Sequence, residues 1–142
     1  MTNPRLAVSA SVVRYLLALD ALKSSGGIRT IDVARHLNVK KPSAHTMLNN
    51  LRDAGILTKD ELGIAHLTSR GMELTSRYRR YYCAVASALA RTLPPSADVK
   101  NAACTLVAEL SEQVLEELCA QSGTEGHAVM KNPDTEVVLC NM

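Results

Sequence analysis

Apolar residues recur at helical spacing from Ser11 to Leu22, where Val12, Val13, Tyr15, Leu16, Leu17, Leu19 and Leu22 predict a first helix. The segment KSSGG ends it, because its glycines permit a helix cap and a turn. Thr30 then offers an N-cap oxygen, and Ile31, Val33, Ala34 and Leu37 predict a short second helix. After the turn LNVKK, Pro42 suits the first turn of a third helix, where its missing N–H would have no intrahelical partner. Ala44, Met47, Leu48 and Leu51 keep the i, i+3, i+4, i+7 rule and predict a buried stripe. Ser43, His45, Thr46, Asn49, Asn50 and Arg52 form the other face, and Gly55 closes the helix.

The segment ILTKDELGIAHLT reads as two short strands, Ile56 to Lys59 and Ile64 to Leu67, joined by a turn around Asp60 to Gly63. Thr68 can cap a long helix that Pro94 and Pro95 stop. Another helix is expected from about Ala97 or Val99 through Leu118, with a bend near Ser111. The tail is mixed, and TEVVLC reads either as an edge strand or as a flexible segment. The expected fold is mainly α, with an N-terminal winged helix-turn-helix over residues 1–71, a helical part over 72–120 and a C-terminal tail over 121–142.

Charge sharpens this division. Up to Arg80 there are 13 Lys and Arg against 6 Asp and Glu, whereas beyond it there are 3 against 8. A basic half followed by an acidic half points to a polyanion as the partner of the first. Without Phe or Trp, the core must be built from Leu, Val, Ile, Ala and Met. Cys83, Cys104, Cys119 and Cys140 are widely spaced with no C-x-x-C pair, so reduced and mostly buried thiols are expected rather than a zinc knuckle or a disulfide framework. No N-terminal signal pattern and no apolar run of about 20 residues is present, so the expected location is cytoplasmic.

Three helices followed by a hairpin, with a short turn between the second and third helices, make a winged helix-turn-helix, whose third helix enters the DNA major groove. Short donors and acceptors suit base edges, and lysines at the helix start suit phosphates. Lys40, Lys41 and Ser43 are the first candidates for DNA contact, and His45 and Thr46 are candidate base readers. Asn49, Asn50 and Arg52 would contact phosphate or form plain surface. Pro42 could touch a base methyl, although starting the helix suffices to explain it. Lys59 is a candidate wing contact, and His66 belongs to packing or turn chemistry.

An alternative is a solvated face on a winged-helix protein-interaction module. The absence of Asp and Glu from Val39 to Leu51 weighs against it. Arg77, Arg79 and Arg80 form a basic cluster that could face DNA, a partner subunit or water. With no nucleophile–base spacing, phosphate-binding glycine loop or zinc motif, an enzyme is not expected.

The stretch TIDVARHLNVKKPSAHTMLNNLRDAGILTKDELGIAHLTSRG resembles the DNA-binding domain of the diphtheria-toxin-repressor family of iron- and manganese-dependent regulators, the DtxR/MntR type. The winged-helix part alone is also compatible with a MarR-like regulator. AACTLVAELSEQVLEEL is similar to the first family's dimerisation-domain helix, and together the likeness spans about Ser11 to Leu118. The resemblance implies a long linker helix and helical dimerisation domain over 72–120, and a homodimer binding a palindromic operator. It also implies a divalent Mn or Fe corepressor. The family's further SH3-like domain is not expected in the residues that follow Leu118.

Carried over residue by residue, the family's metal ligands fall on Ser11, Arg14, Tyr82, Cys104, Val107 and Ala108, and its ancillary site needs donors where Ala86 and Lys100 stand. Only Cys104 keeps a good donor, while an arginine and two apolar residues oppose a cation. The usual site is therefore expected to be lost. A shifted register would bring in Glu109, and Cys83 adjoins Tyr82. Packing among Val12, Val107 and Ala108 could replace metal in ordering the first helix, giving metal-independent DNA binding. Cysteine oxidation is another candidate signal.

Overall fold

A computed structural model describes residues 8–122. The segment TEVVLC and Cys140 lie outside the described residues. Six helices and one hairpin follow in the order α1 (Ala10–Leu22), α2 (Thr30–Leu37), α3 (Lys41–Asp53), β1 (Leu57–Lys59), β2 (Ala65–Leu67), α4 (Ser69–Thr92), α5 (Val99–Glu109) and α6 (Glu112–Ser122). The described residues form two compact units, one of Arg14–Arg77 and the other of Ser9–Val13 together with residues 78–122.

The first unit buries Leu16, Leu19, Val33, Ala44, Leu48, Leu51, Ile56 and Leu57 to 1% exposure or less. Three of these are the expected α3 stripe, and Met47 lies half-buried beside them. The turn between α2 and α3 is made by Asn38, whose φ of 53° is left-handed, so that Val39 N–H reaches Ala34 O at 2.9 Å. At the end of α3 the same device recurs with Gly55 at φ 82°. Ile56 N–H bonds Leu51 O at 2.9 Å, and Gly55 N–H bonds Arg52 O at 2.9 Å. Leu51 and Ile56, the positions whose apolar contact commonly accompanies such a cap, are both fully buried.

Because Ile56 is held by that cap, β1 begins one residue later than the sequence pattern indicates; β2 likewise starts at Ala65 rather than Ile64. The antiparallel register pairs Leu57 with Leu67, Thr58 with His66 and Lys59 with Ala65. Ile28, ahead of α2, adds a bridge to Ala65, with Ile28 N–H to Ala65 O at 2.7 Å and Ala65 N–H to Ile28 O at 2.8 Å. Thr30 is not the N-cap of α2 but its first helical residue. Arg29 holds the cap position in extended backbone and makes no side-chain cap bond.

Thr68 caps α4 as expected, its Oγ1 accepting Gly71 N–H at 3.0 Å. Gly71 passes against the Ile56 carbonyl, leaving no room for a Cβ. In the second unit, Asp98 caps α5 by accepting Asn101 N–H at 3.1 Å. The helix expected through Leu118 is two helices: Leu110 turns to extended backbone, and Ser111 Oγ accepts Val114 N–H at 3.3 Å to start α6. Glu116 on α6 accepts from both Arg80 and Tyr81 Oη of α4 at 2.7 Å. Tyr78 and Tyr81 meet edge to face with centroids 5.5 Å apart.

Candidate nucleic-acid interface

The α3 face opposite the buried stripe is built from short polar side chains. Lys40 in extended backbone, then Lys41, Pro42 and Ser43 in the first turn, are all exposed, as are His45, Thr46, Asn50 and Arg52. Asn49 is half-buried. Lys40 and Lys41 therefore stand where the helix also presents unpaired N–H groups, an arrangement that favours a phosphate. No Asp or Glu falls in α3 before Asp53.

Two side chains on this face are already committed within the protein. Thr46 Oγ1 donates to Pro42 O at 3.0 Å, leaving its lone pairs and methyl outward. Lys59 Nζ donates to Asn49 Oδ1 at 2.6 Å, tying the wing to α3. Burial, and secondarily the charge of Arg52, push the Lys59 ammonium below its ordinary pKa. The structure thus brings Lys59 and Asn49 together. The sequence pattern gave no signal for that pairing beyond a lysine ending the strand after α3.

The wing tip differs from a phosphate clamp. Asp60 accepts the N–H groups of Leu62 at 2.9 Å and Ile64 at 3.0 Å, and its other oxygen lies 3.2 Å from His66 Nε2. Those bonds, led by the one from Ile64, hold the Asp60 carboxyl below its ordinary pKa. His66 belongs to the turn's chemistry, as its place in the strand implied. Leu62 is 84% exposed beside Glu61. Cationic side chains instead flank the helix pair: Arg29 at the start of α2 and Arg35 in its last turn are exposed, as is the neighbouring His36. The sequence reading did not single these out. Their positions at the two ends of α2 were the available signal.

The residues on which the resemblance would place metal ligands do not fit a divalent cation. Cys104 is fully buried on α5, with Val107 at 2% and Tyr82 at 7% exposure, while Ala108 and Arg14 are half-buried and Ser11 is exposed. Tyr82 offers a phenol where the resemblance implies an imidazole, Arg14 brings a like charge, and Val107 and Ala108 bring no donor. Glu109 is exposed and Cys83 half-buried. Among the described residues, no three His, Cys, Asp or Glu side chains are grouped so as to hold a metal ion.

Residues 7–61 match the family profile described as "Iron dependent repressor, N-terminal DNA binding domain". Among solved structures, a hypothetical protein from Sulfolobus solfataricus superposes with TM-score 0.60 at 18% identity, covering 82% of this chain and 90% of that one. IdeR of T. acidophilum superposes with TM-score 0.61 at 24% identity, covering 78% of this chain. The chain spans about half the length of that protein, 53%. No curated protein sequence matches the chain significantly. Residues 7–61 are thus similar to an iron-dependent-repressor DNA-binding domain, and most of the chain shares the fold of these two solved structures.

Proposed function

We propose that this chain is a transcriptional regulator, in its simplest form a repressor, that binds a palindromic operator as a homodimer and inserts α3 into the major groove. The observation that carries this reading is the α3 surface: a fully buried stripe of Ala44, Leu48 and Leu51 backs an exposed face that holds two lysines and no carboxylate up to Arg52. Lys40 and Lys41 neutralise phosphates, while Ser43, His45 and Thr46 meet base edges. Pro42, Asn49 and Asn50 complete the contact surface, and Lys59 positions the wing. Binding then falls steeply with salt, because each neutralised phosphate releases counterions.

The donor set at Ser11, Arg14, Tyr82, Cys104, Val107 and Ala108 supports DNA binding that needs no divalent corepressor. The protein would act in the cytoplasm, where its DNA lies; no helix among the described residues is long and apolar enough to cross a membrane. The deciding experiment titrates metal-stripped protein calorimetrically with Mn, Fe(II), Co and Zn, and then measures binding to its own upstream DNA across salt concentrations, with and without metal. Tight, salt-dependent binding unchanged by metal is expected. Stoichiometric metal binding that strengthens DNA affinity overturns the metal-independent part, and absence of tight DNA binding overturns the whole.

The acidic wing tip with Leu62 exposed favours a second reading, a winged-helix module that docks on another protein. Mass measurements of mixtures with other regulators from the same cell separate it from the first.

A further inference from the structure

The amide of Asn49 is held one way round. An ammonium carries three protons and no lone pair, so the atom 2.6 Å from Lys59 Nζ must be the amide oxygen. An orientation that is ordinarily assigned by optimising a network is here dictated by the partner's chemistry. Asn49 follows Thr46 by three residues, on the face away from Ala44, Leu48 and Leu51, so the two stand one above the other on the helix.

An unrestrained asparagine at such a place pairs with adenine by accepting from N6 and donating to N7 together. Asn49 has its oxygen engaged. The second lone pair of that oxygen lies beside a positive charge, which repels the amine hydrogens of an approaching adenine. Its two amide protons remain for DNA. Thr46 is committed in the opposite sense: with its proton on Pro42 O, it faces outward as an acceptor and a methyl.

We propose that Lys59 is a positioning residue that sets base preference through Asn49, making Asn49 a donor toward the groove that favours the acceptor-only edge of guanine over the mixed edge of adenine. This rests on the reading of α3 as the recognition helix. The contact also accounts for a wing lysine that is half-buried rather than extended toward solvent. Lys59 shapes specificity without touching DNA.

The test selects duplexes from a random pool with the full-length chain, N49A, K59M and K59R, after thermal unfolding has checked each variant. The wild type should select a motif with one G·C position that N49A relaxes. K59R, also donor-only, should keep that preference, and K59M should move it toward A·T. On the wild type, replacing that guanine by 7-deazaguanine should weaken binding by about tenfold, the scale of one lost hydrogen bond. The analogue arm stands even if K59M fails to fold.

Three results overturn the proposal while leaving DNA recognition intact. The first is that N49A relaxes no position. The second is that the folded K59M selects the same base as the wild type. The third is that the wild type prefers A·T there, with loss of the N6 amine costing as much as loss of N7. If the wild type selects no motif at all, the recognition-helix reading itself fails, and this proposal with it.

Discussion

Gly71→Ala sets a general propensity against one local contact. Helix propensity favours the substitution by about 1 kcal/mol, since alanine restricts the unfolded chain and glycine does not. The structure reverses the sign. A Cβ at residue 71 would overlap the Ile56 carbonyl oxygen and come within 3.0 Å of its carbon and 3.2 Å of Ile56 Cγ2. Neither neighbour is free to yield. The same oxygen accepts Thr68 N–H at 3.0 Å, the Thr68 hydroxyl lies 2.7 Å from Gly55 O, and Ile56 is fully buried. Overpacking of this kind costs about 1–3 kcal/mol, and loosening the Thr68 bond adds about 1 kcal/mol. Against the propensity gain, the net loss is about 1–3 kcal/mol. For a chain of this size that lowers the melting temperature by roughly 3–10 °C. Urea and thermal unfolding followed by circular dichroism, at one fixed protein concentration, measure it. Gly26→Ala, where the nearest atom is Ser24 Oγ at 3.9 Å, serves as the control and should stay within about 0.5 kcal/mol of wild type. A Gly71→Ala protein as stable as the wild type, or more so, would refute the reasoning.

Four further outcomes are expected of the protein. Leu48→Ala empties a fully buried site on α3 and should cost about 2–5 kcal/mol in urea unfolding. Lys41→Glu should weaken binding to every DNA sequence alike and reduce the salt slope by roughly one per subunit, as read from titrations at several salt concentrations. Asp60 has a depressed pKa when folded, so its share of wing stability is complete above the ordinary carboxylate range and is lost as pH falls through the folded value. The Leu62 and Ile64 amide resonances should shift in that acid window, and Asp60→Ala should abolish the shift. Cys104, fully buried, should react with a thiol reagent only after unfolding, whereas half-buried Cys119, whose thiol burial pushes up, should react slowly in the native protein.

The first four helices were legible because their apolar residues recur at helical spacing and their ends carry Pro42, Gly55, Thr68 and Pro94. Ala44, Leu48 and Leu51 gave both the buried side of α3 and, by subtraction, its open side. Local oxygen chemistry was less legible. Thr30 is as good a cap residue as Ser9, yet the structure uses Ser9 Oγ for Val12 N–H at 3.2 Å and takes Thr30 into the helix. The break at Leu110 was half visible: Ser111 followed by Glu112 is an N-terminal signature, but the apolar period runs across it. Least legible was the joining of Asn49 to Lys59, which depends on how closely the hairpin returns to α3. No periodicity encodes that distance.

The hairpin itself is only three residue pairs long, too short to resist sliding by backbone pairing alone. Its bridge to Ile28 supplies what it lacks. Slippage by one residue would carry Ala65, 1% exposed, to the opposite face and would break both bonds to a segment that leads directly into α2. The wing therefore behaves as a lever on a fixed fulcrum: its root is set by main-chain atoms, which substitutions leave unchanged, while Glu61 and Leu62 at its free end carry little folding energy. Substitutions at the tip should therefore leave the position of α3 beside it unchanged.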